Sequence, residues 1–174
     1  MAVTWRPDTE DYVPALADYV AEIAEDEDVL AALTDQLQQM RARLGHLPAS
    51  RGDHRYAPGK WTVKELVGHL SDTERVFAGR ALWIARAEPT ALPGFDDQSW
   101  VSRAGADYRT LAEMVEEWGH VRRATLALFR PLTPEAWRRR GVAGDGPVTV
   151  RALAYVIAGH TRHHLRVLEA RYLG

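Results

Sequence analysis

The chain of 174 residues contains no cysteine and no asparagine, and Lys60 and Lys64 are its only lysines. Without cysteine there is no disulfide, zinc–thiolate site, iron–sulfur cluster or protein thiol nucleophile, so any metal must be held by histidine or carboxylate. Without asparagine there is no glycosylation sequon. No run of about 18 apolar residues occurs, which argues against a helical membrane span. The opening MAVTWRPDTEDYV is acidic where a secretory leader needs a basic stretch and then an apolar one. A cytoplasmic protein with no membrane partner is expected. Lys+Arg number 22 against 24 Asp+Glu, a net charge of −2, so no nucleic-acid partner held by charge is expected either.

What is present is ordinary globular composition, 46% hydrophobic and 26% charged. The length suits a single domain over residues 1–174, with an N-terminal arm over 1–27 that packs through Tyr12, Leu16 and Tyr19. Charge is uneven: the first 28 residues hold one base, Arg6, and the C-terminal third is rich in Arg. An acidic arm lying on a basic face is one reading; separately solvated faces is the one favoured here.

Four stretches read as helices. Val29, Leu30, Leu33, Leu37, Met40 and Leu44 fall at helical spacing over about 28–44, ended by Gly45 and Pro48. After the Pro58–Gly59 turn, Thr62 and Glu65 form a capping box that opens a helix to about Ala87. Thr110 and Glu113 repeat the device for a third helix, ending before Pro131. Thr133 and Pro134 then start a short turn carrying Trp137. The fourth helix opens at Thr149 and runs to Tyr172. No stretch alternates long enough to build a sheet. The predicted fold is therefore all-α, a four-helix bundle with a long crossover loop over 89–108.

Chemistry concentrates in the seven histidines. His160 and His164 are one turn apart, about 40° on the helical wheel, on the stripe of Leu153, Ile157, Val167 and Leu168. Two imidazoles so placed can share one metal ion; two core histidines with internal partners are the competing reading. The Glu of H-E-x-x-H is absent, since position 161 is Thr. His69 sits at the edge of the second helix's apolar stripe, in line with Thr73, Val76 and Arg80. It faces either a cavity or the surface. Three imidazoles would leave open metal positions, as catalytic sites do. His163 lies on the flank, suited to carrying a proton or to the surface; His46, His54 and His120 read as structural or exposed. A di-iron centre fails, because Glu117–His120 is the only Glu-x-x-His pair.

The block YAPGKWTVKELVGHLSDTERVFAGRALWIAR, the following LPGFDDQSW and the terminal AGHTRHHLRVLEARYL resemble the DinB/YfiT-like superfamily of metalloenzymes, from about Asp28 to the end. The resemblance implies a four-helix bundle, usually a homodimer, with a divalent metal on His69, His160 and His164. It places His163 at a variable position that is not normally a ligand. Relatives include thiol S-transferases using bacillithiol or mycothiol and a mycothiol-dependent maleylpyruvate isomerase.

Three functions follow as expectations. The first is a metal-dependent transferase in which a small-molecule thiol, activated by the ion, attacks an electrophilic substrate. Asp72 would then orient a ligand imidazole, Arg80 or the outward-facing Arg162 would hold the thiol's carboxylates, and His163 would carry protons. The second is a hydrolase using metal-bound water. The third is a non-catalytic metal-binding stress-response protein. Zinc or nickel is expected in the site, with iron, manganese and copper also compatible with imidazole ligands.

Overall fold

The computed structural model describes residues 5–89, 91–144 and 146–173; residues 1–4 of the expected arm lie outside it. Two 3₁₀ turns, Thr9–Asp11 and Pro14–Leu16, lead into α1, Ala17–Ala21. The four long helices each begin at a side chain that accepts the free backbone donors of the first turn. Asp28 caps α2, Val29–Leu44; Thr62 and Glu65 cap α3, Val63–Ala85. The crossover is not a bare loop, because Asp96 caps a short helix, α4, Asp97–Arg103. Thr110 and Glu113 cap α5, Leu111–Phe129, and Thr133 starts α6, Pro134–Arg138. Thr149 caps α7, Val150–Val167, which relaxes into a π turn over Leu168–Tyr172.

A small antiparallel hairpin, β1 Arg140–Ala143 with β2 Gly146–Thr149, stands where the sequence predicts no sheet. Its four-residue strands are too short to show a period. Gly144 supplies the left-handed backbone of the turn, at φ +61°. The hairpin also pins the crossover: Leu92 donates to Val142 O at 3.0 Å and accepts from Gly144 N at 2.9 Å.

α5 and α7 each pack against both α2 and α3, so the consecutive helices α2 and α3 occupy diagonal corners of the bundle. Every residue of α7 from Ala152 to Thr161 is buried. Small side chains allow this. A Cβ on Gly159 would lie 1.8 Å from the Tyr19 carbonyl oxygen, so only glycine lets α1 cross α7 there. The arm is held by charge as well. Arg162 donates to the Glu27 carboxylate at 2.8 Å and to Glu22 O at 2.7 Å, Arg166 pairs with Glu22, and Arg151 pairs with Asp8 and Asp11. The acidic arm thus lies on the basic face of α7, and the favoured reading of separately solvated faces is corrected. Fixed packing of Tyr12, Leu16 and Tyr19 on the core holds each pair in one geometry.

At the bundle centre lies a charge that the sequence pattern does not announce. The Arg122 guanidinium, fully buried on α5, donates to both oxygens of Glu74 on α3, each at 2.8 Å. It also donates to Gln36 Oε1 and Leu33 O on α2, at 2.5 and 3.0 Å, and to Thr161 Oγ1 on α7 at 2.9 Å. Gln36 in turn donates to Ala158 O at 2.7 Å. Each long helix therefore supplies at least one member. Removing one ion leaves its partner buried and unpaired, which costs about 3–5 kcal/mol. Arg122→Met is expected to lower unfolding free energy in urea by that amount. The double variant Arg122→Met/Glu74→Leu is expected to recover most of it.

Candidate metal centre

α3 and α7 pack side by side, and their histidines meet between them. His69 and His160 are buried and His164 half-buried. Their ring nitrogens converge: His69 Nε2 lies 2.9 Å from His160 Nε2, and His164 Nε2 lies 3.1 Å from it. Ligand atoms of all three lie within 4.8 Å of one another, the one such cluster of His, Asp or Glu among the described residues. The histidine pair one turn apart on α7 and the distant His69 are thus brought together, and the surface reading of His69 does not hold.

The neighbours are aromatic. Trp61 lies 4.7 Å from the His69 ring, and Tyr19 of α1 stands edge-on to His160 at 5.1 Å and to His163 at 5.9 Å. Thr73 Oγ1 is 3.4 Å from His69 Nδ1, on the side away from the cluster. Burial drives the imidazoles toward the neutral form: His69 is lowered to about 4, His164 to about 3, and His160 well below the usual imidazole value. Charge among the rings adds to this for His160 and His164, whereas Asp97 at the start of α4 opposes it at His69.

Three neutral imidazoles meeting at Nε2 do not satisfy one another. A single ring nitrogen carries one proton or one lone pair, so His160 Nε2 cannot make good hydrogen bonds to both neighbours. His164 Nδ1 is buried with no hydrogen-bond partner among the described residues. A divalent ion fits this donor set. Ligand nitrogens about 2.0–2.1 Å from a tetrahedral ion stand about 3.3 Å apart, a few tenths of an ångström beyond the spacings here.

The other candidate residues have definite places. Asp72 pairs with Arg75 at 3.3 Å and touches no ring of the cluster, while burial raises its pKa. Arg80 donates to Pro93 O at 2.6 Å, with its guanidinium 5.4 and 5.5 Å from the Phe77 and Phe95 rings. It lines a 290 Å³ slot with Trp83, Phe95 and Trp100. Arg162 is committed to Glu27 and the arm. His163 is half-buried against Tyr19 and His164. His46 and His120 are exposed, and His54 packs at 6.3 Å on Tyr172. Sequence reasoning did not place Tyr19, Trp61, Thr73 or Asp97 at the cluster. Trp61 and Thr73 were within reach of it, being eight residues before and one turn after His69 on the same segment.

A sequence model of the DinB superfamily matches residues 7–168. A protein of Geobacillus thermodenitrificans named "Putative metal-dependent hydrolase" is 30% identical over 143 residues, 78% of this chain and 77% of that protein. One of the same description from Oceanobacillus iheyensis is 25% identical over 137 residues, 75% of this chain and 78% of its own length. Among solved structures, YfiT from Bacillus subtilis, described as a probable metal-dependent hydrolase with an unusual four-helix bundle topology, superposes with a TM-score of 0.74. It is 19% identical, with 82% of each chain covered. The mycothiol-dependent maleylpyruvate isomerase gives a TM-score of 0.65 at 12% identity, covering 83% of this chain and 59% of that one. At those identities the two structures show a shared fold.

The lowered imidazole values fix a pH dependence for the metal-free chain. The unfolded histidines bind protons below about pH 6.5, while the folded ones resist until about 4 for His69 and about 3 for His164. The contribution of these imidazoles to stability is therefore level above pH 6.5 and falls on acidification through that window, by about 1.4 kcal/mol per pH unit for each. Urea midpoints of the chelator-treated protein at pH 7 and pH 5 are expected to show this drop. His69→Gln combined with His164→Gln is expected to reduce it, leaving the share contributed by buried His160.

Proposed function

The chain belongs to the DinB superfamily, and on that premise we propose that it is a divalent-metal-dependent enzyme whose ion is held by His69, His160 and His164. The observation that carries this reading is the convergence of three neutral imidazole Nε2 atoms from two helices. When bound, the ion lowers the pKa of a coordinated thiol or water so that a nucleophile forms at neutral pH.

The chain's own residues do the rest. Burial keeps the three rings unprotonated, and therefore able to ligate, throughout the physiological range. Thr73 Oγ1 is within reach of His69 Nδ1, where it can accept the ring proton in the tautomer that leaves Nε2 free to ligate. Trp61 and Tyr19 wall the cluster and keep bulk water from the reacting atoms. Asp97, whose negative charge acts on both His69 and Tyr19, is our candidate acceptor for the proton released by the nucleophile. Arg80, over its aromatic slot, holds an anionic group of the substrate.

The nucleophile we favour is a low-molecular-weight thiol, making the protein a thiol S-transferase. The thiol proton passes to Asp97, sulfur bonds to the electrophilic carbon, and the leaving group departs with the bonding pair. The mycothiol-dependent isomerase of the same fold supports a thiol cosubstrate, and the absence of cysteine means sulfur must come from outside. The hydrolase reading is favoured by the names of the curated relatives. It uses the same ligands and the same proton acceptor, with water in place of the thiol.

Untagged protein is expected to carry one divalent ion per chain by elemental analysis, lost in His160→Ala. With bacillithiol or mycothiol and an electrophile, thiol consumption should fall to background in that variant. Asp97→Asn should keep the ion and lose about 10²–10⁴ in rate. Ester or amide cleavage without added thiol would select the hydrolase reading. Thiol consumption undiminished in His160→Ala would overturn the metal-dependent one.

A further inference from the structure

On another face of the bundle, between the C-terminal half of α2 and the N-terminal half of α5, lies a slot of 640 Å³. None of the three clustered histidines lines it. That volume is in the range of small-molecule sites. Its walls are Leu37, Met40 and Leu44 from α2 and Leu111, Val115 and Trp118 from α5. Leu111 to Arg123 covers about 18 Å of helix, enough for an extended twelve-carbon acyl chain or a ring system.

Two features of this slot are unexplained by the bundle. Trp118 is 1% exposed, yet its indole N–H has no hydrogen-bond partner among the described residues. A buried donor left unmatched by the protein costs about 1–3 kcal/mol. Two arginines also line the slot, Arg41 from α2 and Arg123 from α5, and both are exposed. Neither side chain has a hydrogen bond or ion pair with any described residue, whereas the arm and core arginines are paired. Arg123 is folded over Gly119, with its guanidinium nitrogens 3.6 and 3.7 Å from where a Cβ of that glycine would be. The third charge on the lining is Glu116, one turn to the other side of Gly119, so the lining carries a net single positive charge.

We propose that this slot binds an amphipathic organic monoanion, a medium-chain carboxylate being the representative, with its apolar part between α2 and α5 and its carboxylate on Arg123 and Arg41. A guanidinium recognises a carboxylate through two parallel hydrogen bonds, and an apolar slot lined by two unpaired guanidiniums suits a molecule with one apolar and one anionic end. A second copy of the chain is a poorer occupant. About a twofold axis it would set concavity against concavity and leave the volume empty. This site is separate from the metal centre and does not rest on its chemistry.

Calorimetric titration of the metal-loaded protein with dodecanoate tests the proposal. One dodecanoate per chain is expected, with dodecanol at least about tenfold weaker. Arg123→Glu should weaken dodecanoate about tenfold or more, and Glu116→Gln should tighten it. Ala112→Trp, which fills the slot from an exposed position of α5, should abolish binding, and His160→Ala should leave it unchanged. No dodecanoate binding, or binding indifferent to Arg123→Glu and Ala112→Trp, overturns the proposal. A dimer in sedimentation that Arg123→Glu dissociates, without dodecanoate binding, assigns the slot to a second copy and overturns it equally.

Discussion

The constraint on which this bundle turns is the full burial of the Arg122 guanidinium. A guanidinium cannot shed its charge inside a protein, so every N–H must find an acceptor. Here the acceptors come from Leu33 and Gln36, Glu74 and Thr161, that is, from each of the other three long helices. Hydrophobic packing alone tolerates a helix sliding by a fraction of a turn; a bidentate ion pair does not. Glu74 lies five residues beyond His69 on α3, and Thr161 adjoins His160 on α7. The contacts that satisfy Arg122 therefore also set the register of α3 against α7, and with it the approach of His69 to His160.

Two polar clusters occupy this interior, and the fold treats them oppositely. The Arg122 network is closed, since Glu74, Gln36 and Thr161 all have partners of good length. The histidine cluster is open: its Nε2 atoms face one another, and His164 Nδ1 has no partner. A protein that can complete one buried network to this degree is not short of acceptors for another. The open cluster leaves its donors available to a group outside the chain, and the low proton affinity of its rings keeps those lone pairs free.

The long helices could be read from the sequence because their starts are written in single residues. Asp28, Thr62, Thr110 and Thr149 each cap as their side-chain chemistry dictates, and all four helices carry apolar stripes of helical period. The His160–His164 pair was legible for the same reason: spacing along one helix is a property of the sequence. Burial of His69 was not, because it sits at the edge of its stripe and only the packing of α7 decides which side of the edge is covered. Arg122 falls on the apolar stripe of α5 with Trp118 and Leu126, and Arg123 beside it is exposed. Spacing places Arg122 on the inner face, but only the packing brings Glu74, Gln36 and Thr161 to meet it there. The hairpin escaped notice because four-residue strands carry no period, and Asp97 because its α4 interrupts what composition presents as a loop.

The segments that looked loosest are the ones that finish the candidate site. The bundle helices bring three nitrogens together, but Tyr19 comes from the arm and Asp97 from the crossover. Gly159 is the residue before His160, and its missing side chain is what admits the Tyr19 backbone. Docking of the arm and shielding of the His160 ring are consequently one event at one turn of α7. The ion pairs of Arg162 and Arg166 with Glu27 and Glu22 hold that turn from the outer side. An arm that came away would carry Tyr19 with it, open the His160 ring to water and relax the burial that keeps it unprotonated. The rigid helices thus set the positions of the three rings, while the arm adds Tyr19 beside His160 and the crossover adds the charge of Asp97.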